Sequence, residues 1–184
     1  MSVFVIIVTY NPEHNLLMRQ YESIRKQVSG IVYVDNCSTN LVLPEGNMVF
    51  HILNRRNEGL GKAQNQGIAL ARQKGATHIL LLDQDSVASP FMVDTLLAVE
   101  KENRKHRMRV GLVAPGILDV LSCPPVNLDA ILFQGIKIKH LKLEQATLPV
   151  SYCIASGSLI SMEVLDCVGL MKEELFIDSL DVEW

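Results

Sequence analysis

Val3 to Val8 is an unbroken β-branched and aromatic run, the pattern of a strand covered on both faces. Asn11-Pro12 then opens a helix, with Asn11 as its N-cap and Pro12 in the first helical position. Leu17, Tyr21, Ile24 and Val28 follow as one apolar stripe, and Gly30 stops it. Ile31 to Val34 reads as a second short strand ending at Asp35, and Met48 to Leu53 as a third. A Gly-rich stretch at 57–61 leads into a helix to about Lys74, terminated by Gly75. His78 to Leu82 is a fourth strand ending at Asp83. Further on, the pattern predicts a helix over 90–106, a strand over 110–114 and a short helix over 162–168 capped by Gly169. Ile136 to Leu143 nearly alternates, with one step out of register between Ile138 and Leu141, which predicts an exposed strand with a bulge.

The order β-α-β-β-α-β with short connections predicts an α/β layered fold around a mostly parallel sheet. Such sheets gather function at the carboxyl ends of their strands. Those ends carry Thr9-Tyr10-Asn11, Asp35-Asn36, Asn57-Glu58-Gly59 and Asp83-Gln84-Asp85.

Composition narrows the function. The chain has 184 residues, enough for one domain with its own core, and no linker, repeat or low-complexity tract divides it. Seventeen Lys and Arg against 20 Asp and Glu leave no basic field, which argues against general nucleic-acid binding. The four cysteines form no Cys-x-x-Cys pair and the five histidines no His-x-x-x-His pair, so neither a disulfide framework nor a zinc site is expected. The apolar start lacks a basic n-region, and no run approaches a membrane span, so a cytoplasmic domain is the expectation. The basic stretch 101–109 is either a solvated helix end or a peripheral contact with lipid headgroups at the inner face of a membrane.

Four constellations could carry chemistry. Asp83-x-Asp85 at a strand end puts two carboxylates on one face, able to share the shell of a hard divalent cation. A solvated turn is the bland alternative. Asp35 could accept a hydrogen bond from a pyrimidine ring N–H, or simply form an Asx turn. Asn57-Glu58-Gly59-Leu60-Gly61-Lys62 fits neither the P-loop nor the Rossmann spacing, leaving a helix entry whose N–H groups could face a nucleotide. Asp178, Asp181 and Glu183 lie among apolar residues that could tune a base, or they cap a solvated helix.

Taken in order, these segments resemble the family 2 glycosyltransferases of GT-A fold. The resemblance rests on Val8-Thr9-Tyr10-Asn11, Asp35-Asn36-Cys37-Ser38, the Asn57-x-Gly59-x-Gly61-x-Ala63-x-Asn65-x-Gly67 pattern and Asp83-Gln84-Asp85-Ser86. Three wordings are similar to the rhamnosyltransferase branch: residues 81–86, Ala155-Ser-Gly-Ser-Leu-Ile160, and Leu175-Phe-Ile-Asp-x-x-Asp-Val-Glu-Trp184. The resemblance implies an inverting transfer of a sugar from a nucleotide-sugar donor, dTDP-L-rhamnose or else a UDP-sugar, to a glycan or glycolipid acceptor. It implies donor contacts at Thr9, Tyr10, Asn11, Asp35, Asn57, Gly59, Gly61, Asn65, Asp83 and Gln84. Asp83 and Asp85 would hold Mg²⁺ or Mn²⁺, and Asp181 would be the base. Gly157, Ser158, Glu183 and Trp184 would lie on the acceptor side. The family pattern continues past Glu-Trp to an arginine and further helices, so the end at Trp184 reads as a truncation. That leaves a second expectation open, a non-catalytic remnant that binds nucleotide-sugar or a partner protein.

Overall fold

The computed structural model describes residues 1–119, 126–127, 130–134, 137–141, 148–177 and 183–184. Four parallel strands form most of the central sheet: β1 (Val3–Thr9), β2 (Gly30–Asp35), β3 (Val49–Leu53) and β4 (His78–Leu81). The helices between and after them are α1 (His14–Ile24), α2 (Leu60–Gln73) and α3 (Met92–Lys105). Two small antiparallel pairs follow, β5 (Leu118–Asp119) with β6 (Val126–Asn127), and β7 (Ala130–Gln134) with β8 (Lys137–Leu141). The chain then returns as β9 (Leu159–Ser161), antiparallel to β4, and continues into α4 (Met162–Val168) and a 3-10 turn at Glu173–Leu175. The sheet order is β3-β2-β1-β4-β9. This mixed α/β architecture, a mostly parallel sheet flanked by helices, is the one expected for a GT-A domain.

Alternation within β1 splits the core in two, because successive side chains leave a strand on opposite faces. Val3, Val5 and Ile7 pack with Leu17 and Ile24 of α1 and Val93 and Leu96 of α3. Phe4 and Ile6 pack with Ala63, Ile68 and Ala71 of α2 and Leu165 of α4. Burial on both faces is why β1 and β2 read as continuous apolar runs rather than alternating ones.

Several local expectations are corrected. Asn11 does not cap α1: it sits in the left-handed region at φ 46°, and its side-chain oxygen accepts from the Thr39 N–H at 2.9 Å. Glu13 is the cap instead, accepting from Asn15 N–H. Gly30 opens β2 rather than merely ending a helix, since a Cβ there would lie 2.3 Å from the Phe4 ring. At 110–114 there is only an isolated bridge, Val113 to Leu159. The expected bulge is absent from β8, whose register with β7 advances one residue for one from Gln134↔Lys137 to Ala130↔Leu141.

Candidate functional site

The carboxyl ends of β1, β2 and β4 meet at one edge of the sheet. Thr9 and Asp35 are direct neighbours in the β1–β2 register. Both are buried, and the Thr9 hydroxyl donates to Asp35 Oδ1 at 2.8 Å. Ser38 adds its backbone N–H to Asp35 Oδ2 at 2.8 Å and its hydroxyl to Oδ1. The carboxylate therefore organises the turn after β2, and the Asx-turn alternative is realised. Asn11 joins the same turn, its N–H donating to Ser38 Oγ at 2.8 Å.

Gln84 reaches back to β1. Its Oε1 accepts from the Tyr10 N–H at 2.9 Å, and its Nε2 donates to the Tyr10 carbonyl at 3.4 Å. This reciprocal amide pair ties the centre of the Asp83-Gln84-Asp85 segment to the exit of β1, while the Tyr10 ring is left exposed. On the other side, Asp83 N–H donates to Ser156 Oγ at 3.1 Å, and Ser86 and Ser156 hydroxyls meet at 3.0 Å. Gly157 follows in the left-handed region at φ 85°, its N–H donating to the Leu81 carbonyl at 2.7 Å. A Cβ there would fall 2.7 Å from Pro115. Ser158 is buried and donates to the Ile154 carbonyl. Ser156 thus supports the Asp83 segment, and Gly157 the end of β4 that leads into it.

The entry to α2 is organised by Asn36, which is buried and donates to the Gly59 carbonyl at 3.1 Å. Asn57 is exposed, and its Oδ1 accepts the Gly59 N–H at 3.0 Å. Gly59 itself has φ 84°, and a Cβ would meet Phe176 at 2.7 Å. The Leu60 N–H at this helix start donates to the Phe176 carbonyl, so that donor is already occupied by the protein. Gly61 is buried one residue further into the helix. The Glu58 carboxylate accepts from Arg56 Nε and Lys62 Nζ, each at 2.8 Å, and these cations hold its pKa down at about 2.

Residues 4–169 match the family described as Glycosyl transferase family 2. The chain belongs to that family. It is also 35% identical over 189 residues to a dTDP-rhamnosyl transferase, RfbF, of Shigella flexneri, an alignment covering all of this chain. The chain spans 62% of the length of that relative.

Within this glycosyl transferase family 2 chain, α2 also docks the stretch that follows α4. Asn65 is buried, and its amide donates to the Met171 carbonyl at 2.9 Å, accepts the Met171 N–H at 3.0 Å and donates to Glu173 at 3.1 Å. Both of its N–H groups are engaged within the protein, which places Asn65 under the following chain. Glu183 pairs with Lys172, and the Trp184 indole N–H donates to the Gly169 carbonyl at 3.0 Å. Asp178 and Asp181 lie outside the described residues.

Asp83 and Asp85 are both exposed at the sheet edge. Among the described residues, no cluster of three or more His, Cys, Asp or Glu could hold a metal ion. Two exposed carboxylates two residues apart nonetheless suit Mg²⁺ or Mn²⁺, which take oxygen ligands and complete their shell with phosphate and water. The donor set fits such an ion bound together with a diphosphate.

Sequence reasoning missed Gln20, whose amide Nε2 donates to the Asp83 carbonyl from within α1. The available signal was a glutamine on the buried face between Leu17 and Ile24. Ser156, which accepts the Asp83 N–H and meets the Ser86 hydroxyl, has no local sequence signal for that role.

Proposed function

We propose that residues 1–184 form a single GT-A catalytic domain that transfers L-rhamnose, with inversion, from dTDP-L-rhamnose to a hydroxyl of a glycan or glycolipid in cell-surface polysaccharide synthesis. The observation that carries the reading is the meeting of the Thr9–Asp35 turn, the Gly59 helix entry and the Asp83-Gln84-Asp85 segment at one sheet edge. The choice of donor is supported by the rhamnosyl transferase relative.

In this reading the turn ending in Asp35 and Ser38 receives the pyrimidine ring, with Tyr10 exposed beside it. Asp85, assisted by Asp83, would hold the divalent cation. When bound, that ion supplies charge neutralisation to the departing diphosphate. The acceptor oxygen attacks the anomeric carbon on the face opposite the nucleotide. The new C–O bond forms as the bond to the phosphate oxygen breaks, its electrons leave with dTDP, and the hydroxyl proton passes to the Asp181 carboxylate. Gly157, Ser158, Glu183 and Trp184 shape the acceptor side. The domain works in the cytoplasm, meeting its glycan or glycolipid acceptor at the inner face of the membrane. Among the described residues no helix is long and apolar enough to cross a membrane.

The test is calorimetric titration with dTDP and with UDP, each with and without Mg²⁺ or Mn²⁺, on the wild type and Asp85→Ala. Metal-dependent binding that favours dTDP and disappears in the variant is expected. A preference for UDP would replace the sugar, and absence of binding to folded protein would overturn the enzyme reading.

A further inference from the structure

The chain between β4 and α3 carries the Asp83–Asp85 pair, and past Leu82, whose N–H donates to the Ile6 carbonyl of β1 at 3.1 Å, it belongs to no strand. Besides the Gln84–Tyr10 and Ser156 contacts, polar side chains of α1 and of the turn after it hold this segment along its length. Gln20 Nε2 donates to the Asp83 carbonyl. Ser23 Oγ accepts the Ala88 N–H at 3.0 Å. Gln27, in the turn after α1, donates to the Ser89 carbonyl at 3.0 Å and accepts the Val93 N–H at 3.2 Å. Spacings of three and four residues keep these side chains on one side of the helix and its extension, facing the loop along its length.

Gln20 differs from the other two. It is fully buried, and its Oε1 has no hydrogen-bond partner among the described residues. A buried acceptor without a partner works against stability, and an apolar side chain of the same shape would avoid that penalty. The Asp83 carbonyl, for its part, also accepts the Ser86 N–H at 3.2 Å, so it would keep a partner if Gln20 were replaced. What the Gln20 amide adds is a second donor on that oxygen. Two donors on one oxygen, one local and one from α1, hold the Asp83–Gln84 peptide, from which the Asp83 side chain leaves directly and the Asp85 side chain one residue on.

We propose that Gln20 is a positioning residue for the Asp83–Asp85 pair, acting through the Asp83 main chain to align the carboxylates for a divalent cation and its diphosphate. This rests on the donor-site reading above. The test uses the full chain with Gln20→Met, which keeps length and removes the donor, and Gln20→Leu beside it. Each is titrated calorimetrically with dTDP in the presence and absence of Mn²⁺, and thermal unfolding is recorded. Supporting residues of this kind are worth about 10–100-fold in metal affinity. Mn²⁺-dependent dTDP binding should therefore weaken by about tenfold or more in both variants, with metal-free binding unchanged and the unfolding midpoint within about 3 °C of wild type. Unchanged Mn²⁺-dependent affinity in a folded variant would overturn the proposal while leaving the donor site intact. Failure of both variants to fold would also overturn it, because Gln20 would then act through stability. A wild type without Mn²⁺-dependent binding would instead remove the underlying site.

Discussion

Gly67→Ala is a substitution for which local propensity and packing predict opposite signs. Gly67 lies inside α2 and is buried. In a helix interior, alanine is favoured over glycine by about 0.8–1.0 kcal/mol, so a free helix would gain. Here a Cβ would lie 2.5 Å from Ile6 Cγ2, and 3.3 Å from both Ile6 Cγ1 and Val34 Cγ2, where ordinary contact begins near 3.4 Å. Ile6 is 1% exposed in the middle of β1, and its β-branched side chain has little torsional freedom to turn away. Overpacking of this kind costs about 1–3 kcal/mol, and a clash with a rigid central strand belongs in the upper half of that range. The net expectation is a loss of about 1–2 kcal/mol, read by urea denaturation with an unchanged m-value. In an Ile6→Ala background both Ile6 contacts are gone and only the 3.3 Å approach to Val34 remains, so Gly67→Ala should stabilise by most of its propensity. The two changes should then couple by about 2–3 kcal/mol in a double-mutant cycle. If Gly67→Ala stabilises the otherwise wild-type chain by the full helix increment, the close seating of α2 on β1 is not what the geometry indicates.

Two further outcomes follow from buried and paired groups. Tyr33 is fully buried, its hydroxyl has no partner among the described residues, and burial pushes the phenol pKa well above its ordinary value. Tyr33→Phe should therefore leave stability unchanged or raise it by about 1 kcal/mol, and a clear loss in urea denaturation would reveal a partner for the hydroxyl. Glu58, held at about 2 by Arg56 and Lys62 against an ordinary 4.5, is more acidic in the folded chain than in the unfolded one. Its contribution to stability is complete above about pH 4.5 and is lost as pH falls from there through about 2. A carboxyl NMR titration with a midpoint near 4.5 would contradict the pairing.

The order of strands and helices was legible because β1, β2 and β4 are covered on both faces and therefore leave unbroken apolar runs, each ending in a polar cluster. The acidic and asparagine-bearing turns were visible as residue types at strand ends. Their connections were not. Gln84 meets Tyr10 across 74 residues and Asn65 meets Met171 across 106, and no local pattern encodes an amide pair of that separation. Strand β9 has only three residues, too few for a period to register, and its antiparallel place beside β4 depends on the fold already built. Asn11 looked like a helix cap because its residue type and the following proline suit one. A left-handed backbone turned its side chain toward Thr39 instead, a tertiary choice that propensity does not contain.

The antiparallel seat of β9 has a consequence for synthesis on the ribosome. The four parallel strands and α1 to α3 are complete once residue 105 has emerged, but the outer edge of β4 receives its partner only with residues 159–161. At about 5–20 residues per second, the nascent sheet carries an open hydrogen-bonding edge for about 3–11 s. That edge is His78-Ile79-Leu80-Leu81, an apolar template for unwanted strand pairing. Stalling translation within this window should expose the chain to chaperone capture or aggregation that the finished domain escapes.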